Sequence, residues 1–551
     1  MRDAADAKSI TPRLISRRRL LQWSAFAALG STVSPLTNRT IAGADGREGP
    51  EILEEATIAE LQAAMASGRL KAHTLVQMYL ARINAIDRNG PKLRSVLETN
   101  PDASAIAAAL DEERRTRGPR GPLHGIPVLL KDNIDTADRL NTTAGSLALL
   151  GSRPRADATV AQRLRDAGAI VLGKANMSEW AFFRSTHGTS GWSARGGQGV
   201  GPYSLDRTPC GSSSGSGQAV AANLVTVSIG TETDGSIVCP SGVNSVVGIK
   251  PTVGLTSRAG VIPIAHSQDT VGPIARTVAD AAIVLGALTG VDRRDPATGE
   301  SAGKFFTDYT RFLDRNALRG ARIGIPRQAF FGYSEKADAI AEAAIAVMKA
   351  QGAVIVDPAN IPTAQGGFLP GGELTVLLYE FKQDLNLYLA DRRDPVIHSL
   401  ADLIEFNLDH AAEEMPFFQQ EIFLLAQAVD LVRDRPAYLA ALAENHRLSR
   451  QEGIDAVLKQ FSLDALVVPT TAPPWKIDHV DGDHILGLSS QAAALAGYPL
   501  VSVPAGFSFG LPVGITFMGT AYSEPKLIAL AYAFEQATKA RRPPRFTAVT
   551  A

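Results

Sequence analysis

Thiols are nearly missing from this chain, whose 551 residues hold two cysteines, Cys210 and Cys239. Two are too few for a disulfide framework, and neither stands in the histidine spacings of a zinc site, so no metal or other cofactor is expected. Net charge is scarce as well, with 55 Lys+Arg against 56 Asp+Glu. No basic stripe follows the N-terminus to hold a polyanion, which removes nucleic acid from the expected partners. No later window approaches the roughly 20 apolar residues that a bilayer crossing needs. Repeats, low-complexity tracts and a clear linker are also lacking, which argues for one large domain. What remains is ordinary globular composition, 45% hydrophobic and 20% charged, with ample apolar material for a large core.

The N-terminus is organised differently. Arg17-Arg18-Arg19 precedes a short apolar stretch from Trp23 to Leu29, and Ala42-Gly43-Ala44 has the small residues of a cleavage site. That order reads as a twin-arginine-type signal over 1–44, removed on export. Its loss takes away seven Lys/Arg and two Asp/Glu. The mature chain, 45–551, is then acidic, exported to the periplasm or beyond, and without stable membrane association. The sequence leaves its oligomeric state open.

Thr57-x-x-Glu60 forms a capping box ahead of Ile58, Leu61, Ala64 and Met65, so the mature body opens with a helix. Gly125–Leu130 is a short unbroken apolar run suited to a buried strand, with Lys131 and Asp132 at its end. A helix at Val160–Ala167 followed by a strand at Ala169–Gly173 repeats that alternation. The pattern predicts an α/β sheet covered by helices. Residues 335–453 read as mostly helical cover over that sheet. Later, Ala465–Val468 and Gly514–Phe517 read as strands and Leu527–Ala537 as a helix.

Two glycine-rich loops carry the chemical signal. Cys210-Gly211-Ser212-Ser213-Ser214-Gly215-Ser216-Gly217 has the composition of a flexible linker. A helix at Gln218–Leu224 and a strand at Val225–Ile229 follow it at once, so the loop is embedded. A Walker-type phosphate loop would end in Gly-Lys-Ser/Thr, where this chain has Gly217-Gln218-Ala219. The second loop, Gly230–Ile237, presents Ser236 after a strand. It reads either as an ordinary turn with a solvated serine or as backbone N–H groups converging on one point, as in an oxyanion hole. Lys131 likewise has two readings. It is a surface lysine paired with Asp132, or a buried amine whose pKa desolvation lowers until it serves as a general base.

Gly211–Ser216 through Gly230-Thr231-Glu232-Thr233-Asp234-Gly235-Ser236 resembles the glycine- and serine-rich signature of the amidase signature family. The likeness extends over nearly the whole mature chain, including Leu123-His124-Gly125-Ile126-Pro127 and Gly510-Leu511-Pro512-Val513-Gly514. It implies a large mixed, twisted central sheet covered on both faces by helices, and a catalytic triad of Lys131, Ser212 and Ser236. Ser236 would form the acyl-enzyme, with backbone N–H groups of Thr233, Asp234, Gly235 and Ser236 holding the oxyanion. Cys210 and Asp234 replace glycines of the wider pattern. Both, with Gly191–Gln198 and Phe517–Ala521, resemble the peptide amidase subgroup, which implies release of ammonia from C-terminal peptide amides. The rival readings are an amidase for small aliphatic, aromatic or amino-acid amides, an amidotransferase subunit serving charged tRNA, and a silent binding protein. Export and the lack of a basic surface argue against the tRNA reading, and three intact catalytic positions argue against the silent one. His124 and His187 are assigned structural or surface roles. Whether Cys210 and Cys239 pair stays open.

Overall fold

Unbroken apolar runs such as Val128–Leu130 have no polar face to offer water, so the strands they form must be covered on both sides. The computed structural model describes residues 52–364, 369, 371–392 and 394–549. The signal expected over 1–44 lies outside them. In chain order the strands are β1 (Val96–Thr99), β2 (Pro127–Lys131), β3 (Ile170–Ala175), β4 (Trp192–Ser193), β5 (Gly197–Gln198), β6 (Val227–Glu232) and β7 (Val247–Lys250). Then come β8 (Thr270–Ala275), β9 (Arg322–Gly324), β10 (Val354–Val356), β11 (Ala465–Pro469), β12 (Leu500–Ser508) and β13 (Leu511–Met518). Eleven of them make one sheet in the order β1-β3-β2-β6-β8-β7-β12-β13-β11-β9-β10, and β4 and β5 form a small hairpin apart.

The sheet is mixed. β2 lies parallel to both β3 and β6, whereas β8 runs antiparallel to β6 and β12 antiparallel to β13. β2, β3, β6 and β8 are buried at every residue. This is the α/β architecture that the sequence implied. The capping box is present too: Glu60 N–H donates to Thr57 Oγ1 at 3.2 Å, and Thr57 N–H donates to Glu60 Oε2 at 2.9 Å. Among the described residues no helix is long and apolar enough to cross a membrane.

Two details differ from the sequence reading. The helix placed at Gln218–Leu224 spans Ser214–Ala221 and so starts inside the serine-rich loop, where all eight of its residues are buried. Serine and glycine are poor helix formers, and burial overrides that preference. The cover over 335–453 also divides. The helix Glu335–Ala350 buries Ala341, Ala344, Ile345 and Met348 in the sheet core. The helices Glu373–Arg392, Leu400–Asp409 and Glu421–Ala428 instead pack Phe381, Leu385, Leu403 and Phe423 on Met177, Trp180, Phe183 and Ile264. They cover loops rather than strands.

Candidate active site

Because β2 and β6 are parallel neighbours, with Leu130 opposite Ile229, both end at the same edge of the sheet. Crevices at the carboxyl ends of parallel strands are where open α/β sheets bind ligands. Lys131 closes β2 and the loop bearing Ser236 follows β6, so topology alone brings them together. Lys131 is 0% exposed. Its Nζ lies 2.7 Å from Ser212 Oγ, 2.8 Å from Thr231 Oγ1 and 3.1 Å from Thr231 O.

Burial lowers the Lys131 pKa to about 7, while the Asp269 and Glu232 carboxylates oppose the shift. In its neutral form this amine has two N–H groups and one lone pair. The Thr231 carbonyl can only accept, and Thr231 Oγ1 takes the second N–H. The lone pair is left for the Ser212 hydroxyl. The surface reading of Lys131 is thereby overturned, since the Asp132 carboxylate is engaged elsewhere. It pairs with Arg195 at 3.1 Å and accepts the Gly145 N–H at 3.1 Å and the Thr143 hydroxyl.

Ser213 stitches the two loops together. Its N–H donates to Ser236 O at 3.2 Å, its hydroxyl donates to Thr231 O at 3.0 Å, and it accepts the Thr231 N–H at 3.2 Å. The Gly211–Ser212 peptide bond is cis. A side chain at Gly211 would collide with Ser178 Oγ, whose residue donates its N–H to Ser212 O at 3.1 Å. Beyond β6 the chain turns at Gly235 with φ 80°, a conformation that glycine alone adopts without strain. Glu232 lies beneath this turn and accepts the N–H groups of Ile237 at 2.6 Å and Val238 at 2.9 Å.

Cys210 and Cys239 form a disulfide with Cα atoms 6.0 Å apart and a sequence separation of 29. The bond joins the segment before Ser212 to the helix after Ser236. Closing a loop of that length restricts the unfolded chain by about 3.6 kcal/mol in the entropic account. The two cysteines, Ser212, Ser236, Thr233 and Asp234 line a pocket of about 170 Å³. Phe182, Phe183, Ile264, Leu377, Ile485 and Leu488 make its apolar walls. At 8% exposure Ser236 is more open than Ser212 at 1%.

The structure thus brings together Lys131, Ser212 and the Thr233–Ser236 turn. His124 is fully buried with Nε2 2.9 Å from Leu110 O, and exposed His187 lies 3.6 Å from Glu421. Among the described residues one set, His266, Glu380 and Asp384, has ligand-type atoms within 4.8 Å of one another. There His266 Nδ1 lies 2.7 Å from Asp384 and Nε2 3.4 Å from Glu380, so both ring nitrogens already face a carboxylate. Thr231 and Ser213 were not singled out from the sequence, and neither were the apolar walls. Their partners are distant in the chain, and local pattern carries no sign of them.

The Amidase family model matches residues 74–528 of this chain. The chain belongs to the amidase signature family. It is a hydrolase acting on amides. Peptide amidase from Stenotrophomonas maltophilia is 54% identical, with a TM-score of 0.84 over 89% of this amidase and 99% of that chain. A peptide amidase in complex with the competitive inhibitor chymostatin is also 54% identical, with a TM-score of 0.85 over the same shares. An amidase family protein from Bacillus anthracis is 36% identical, with a TM-score of 0.81 over 90% of this amidase and 93% of that chain.

Proposed function

We propose that this amidase releases ammonia from the C-terminal carboxamide of peptides, through an acyl-enzyme on Ser236 and a Lys131–Ser212 proton relay. One observation carries the mechanism: a wholly buried lysine nitrogen 2.7 Å from Ser212 Oγ, at the pocket that Ser212 shares with Ser236. Neutral Lys131 takes the Ser212 proton, Ser212 takes that of Ser236, and Ser236 Oγ attacks the amide carbon. Backbone N–H groups of Thr233, Asp234, Gly235 and Ser236 receive the oxyanion, each donor typically contributing ~3 kcal/mol. The relayed proton leaves with ammonia, and water then hydrolyses the ester.

The preference for peptide amides is supported by the 54% identity to peptide amidase and by the apolar walls, which suit a C-terminal side chain. Ammonia release from peptide amides, amino-acid amides and aliphatic amides, compared under one set of conditions, tests it. Peptide amides are expected to give the highest kcat/KM. A higher value for either small-amide class would replace the peptide reading.

Export remains our reading of 1–44. Support comes from Arg17-Arg18 and from the pairing of both cysteines, since structural disulfides persist in oxidising compartments. Sequencing the N-terminus of the exported protein should begin at Asp45. A chain that keeps Met1 in the cytoplasm would refute this.

A further inference from the structure

A carboxamide and the carboxylate it becomes have nearly the same shape, so a pocket cannot separate them by size. Charge and hydrogen bonding can. The pocket around Ser236 contains one ionisable side chain, that of Asp234, at a position where the wider amidase pattern has glycine. Ser490 donates its hydroxyl to Asp234 Oδ1. Behind it Glu373 accepts an N–H of Gln268 at 3.1 Å and one of Gln491 at 2.8 Å.

We propose that Asp234 distinguishes the substrate from its own product: Oδ2 accepts an N–H of the –NH₂ to be released, and the carboxyl charge excludes the corresponding acid. The proposal rests on Ser236 as the nucleophile. A carboxamide brings N–H donors, which complement a carboxylate. An acid puts a second oxygen where the –NH₂ was, and that oxygen must sit against Asp234 with no lysine or arginine lining the pocket to offset it. Sites built to bond an N–H reject analogues that lack it, because the buried acceptor is left unpaired. The charged groups that act on Asp234 are Glu373, Glu232 and Lys250. Burial, then the Glu373 charge, raises the Asp234 pKa well above the usual carboxylate range. The carboxylate form of Asp234 is the one that complements the amide and excludes the acid, and a proton on Asp234 removes that exclusion.

Inhibition of the mature enzyme by an N-acetylated peptide acid, measured across neutral pH beside kcat/KM for the matching amide and methyl ester, tests this. In the wild type the inhibition should strengthen as pH falls. Asp234→Asn should tighten acid binding by roughly 10²-fold, abolish the pH dependence of inhibition, and lower amide turnover while ester turnover survives. Glu373→Gln should shift acid binding in the same direction by less, and it supplies the test if Asp234→Asn does not fold. Lys131 titrates in the same range, so pH dependence that persists in Asp234→Asn belongs to Lys131 and overturns the proposal. Acid inhibition unchanged in both variants overturns it too. Ester turnover that survives Ser236→Ala would instead refute the nucleophile.

Discussion

Ser236→Ala will lose essentially all amide turnover, with kcat/KM falling on the order of 10⁶-fold. The alanine leaves the pocket walls and the Lys131–Ser212 contact in place but removes the oxygen proposed to attack the carbonyl. A residual rate of the order of 10³ over water belongs to binding and oxyanion donors alone. Intact-mass measurement during turnover of a slow ester should show an added acyl group on the wild type and none on the variant. An adduct of equal yield on Ser236→Ala would assign the nucleophile elsewhere.

The second large effect concerns the relay and should be strongly non-additive. Lys131→Ala and Ser212→Ala should each slow the reaction on the order of 10⁴-fold, and the double variant should be little slower than either. In the proposed relay both remove one path, in which the Lys131 lone pair reaches Ser236 through Ser212. The wild-type pH profile has a definite sign. In that relay neutral Lys131 is the working form, and its pKa is lowered to about 7. Activity should therefore rise close to tenfold per pH unit below that value and level off above it. A double variant whose losses multiplied, or a profile flat through neutrality in which Lys131→Ala retained its rate, would require another base.

The four apolar residues before Lys131 left it open between a surface lysine and a buried amine, and only the resemblance to the family signature favoured the second. The serine-rich loop was legible only in the same way. Ser212–Gly217 has the composition of a linker, and only its resemblance to a known signature marked it as a candidate catalytic loop. Inside the helix that begins at Ser214, Gly215 passes against Ser95 and Asn176, where any side chain would clash with backbone. No local propensity encodes that contact. Ser490 lies 256 residues from Asp234, so the polar surroundings of the pocket follow from the completed sheet rather than from any window of sequence. The same holds for Cys210 and Cys239. Their spacing allowed a bond, but Ser213, bonded across to Thr231 and Ser236, holds the two loops beside each other.

The disulfide also changes the connectivity of the molecule. Residues 210–239 form a closed covalent ring that contains both Ser212 and Ser236. One peptide bond cut anywhere inside that ring opens it without releasing a fragment. The nicked chain gains a new pair of ends and the mass of one water, and both serines stay on one molecule. Only reduction would then divide it in two.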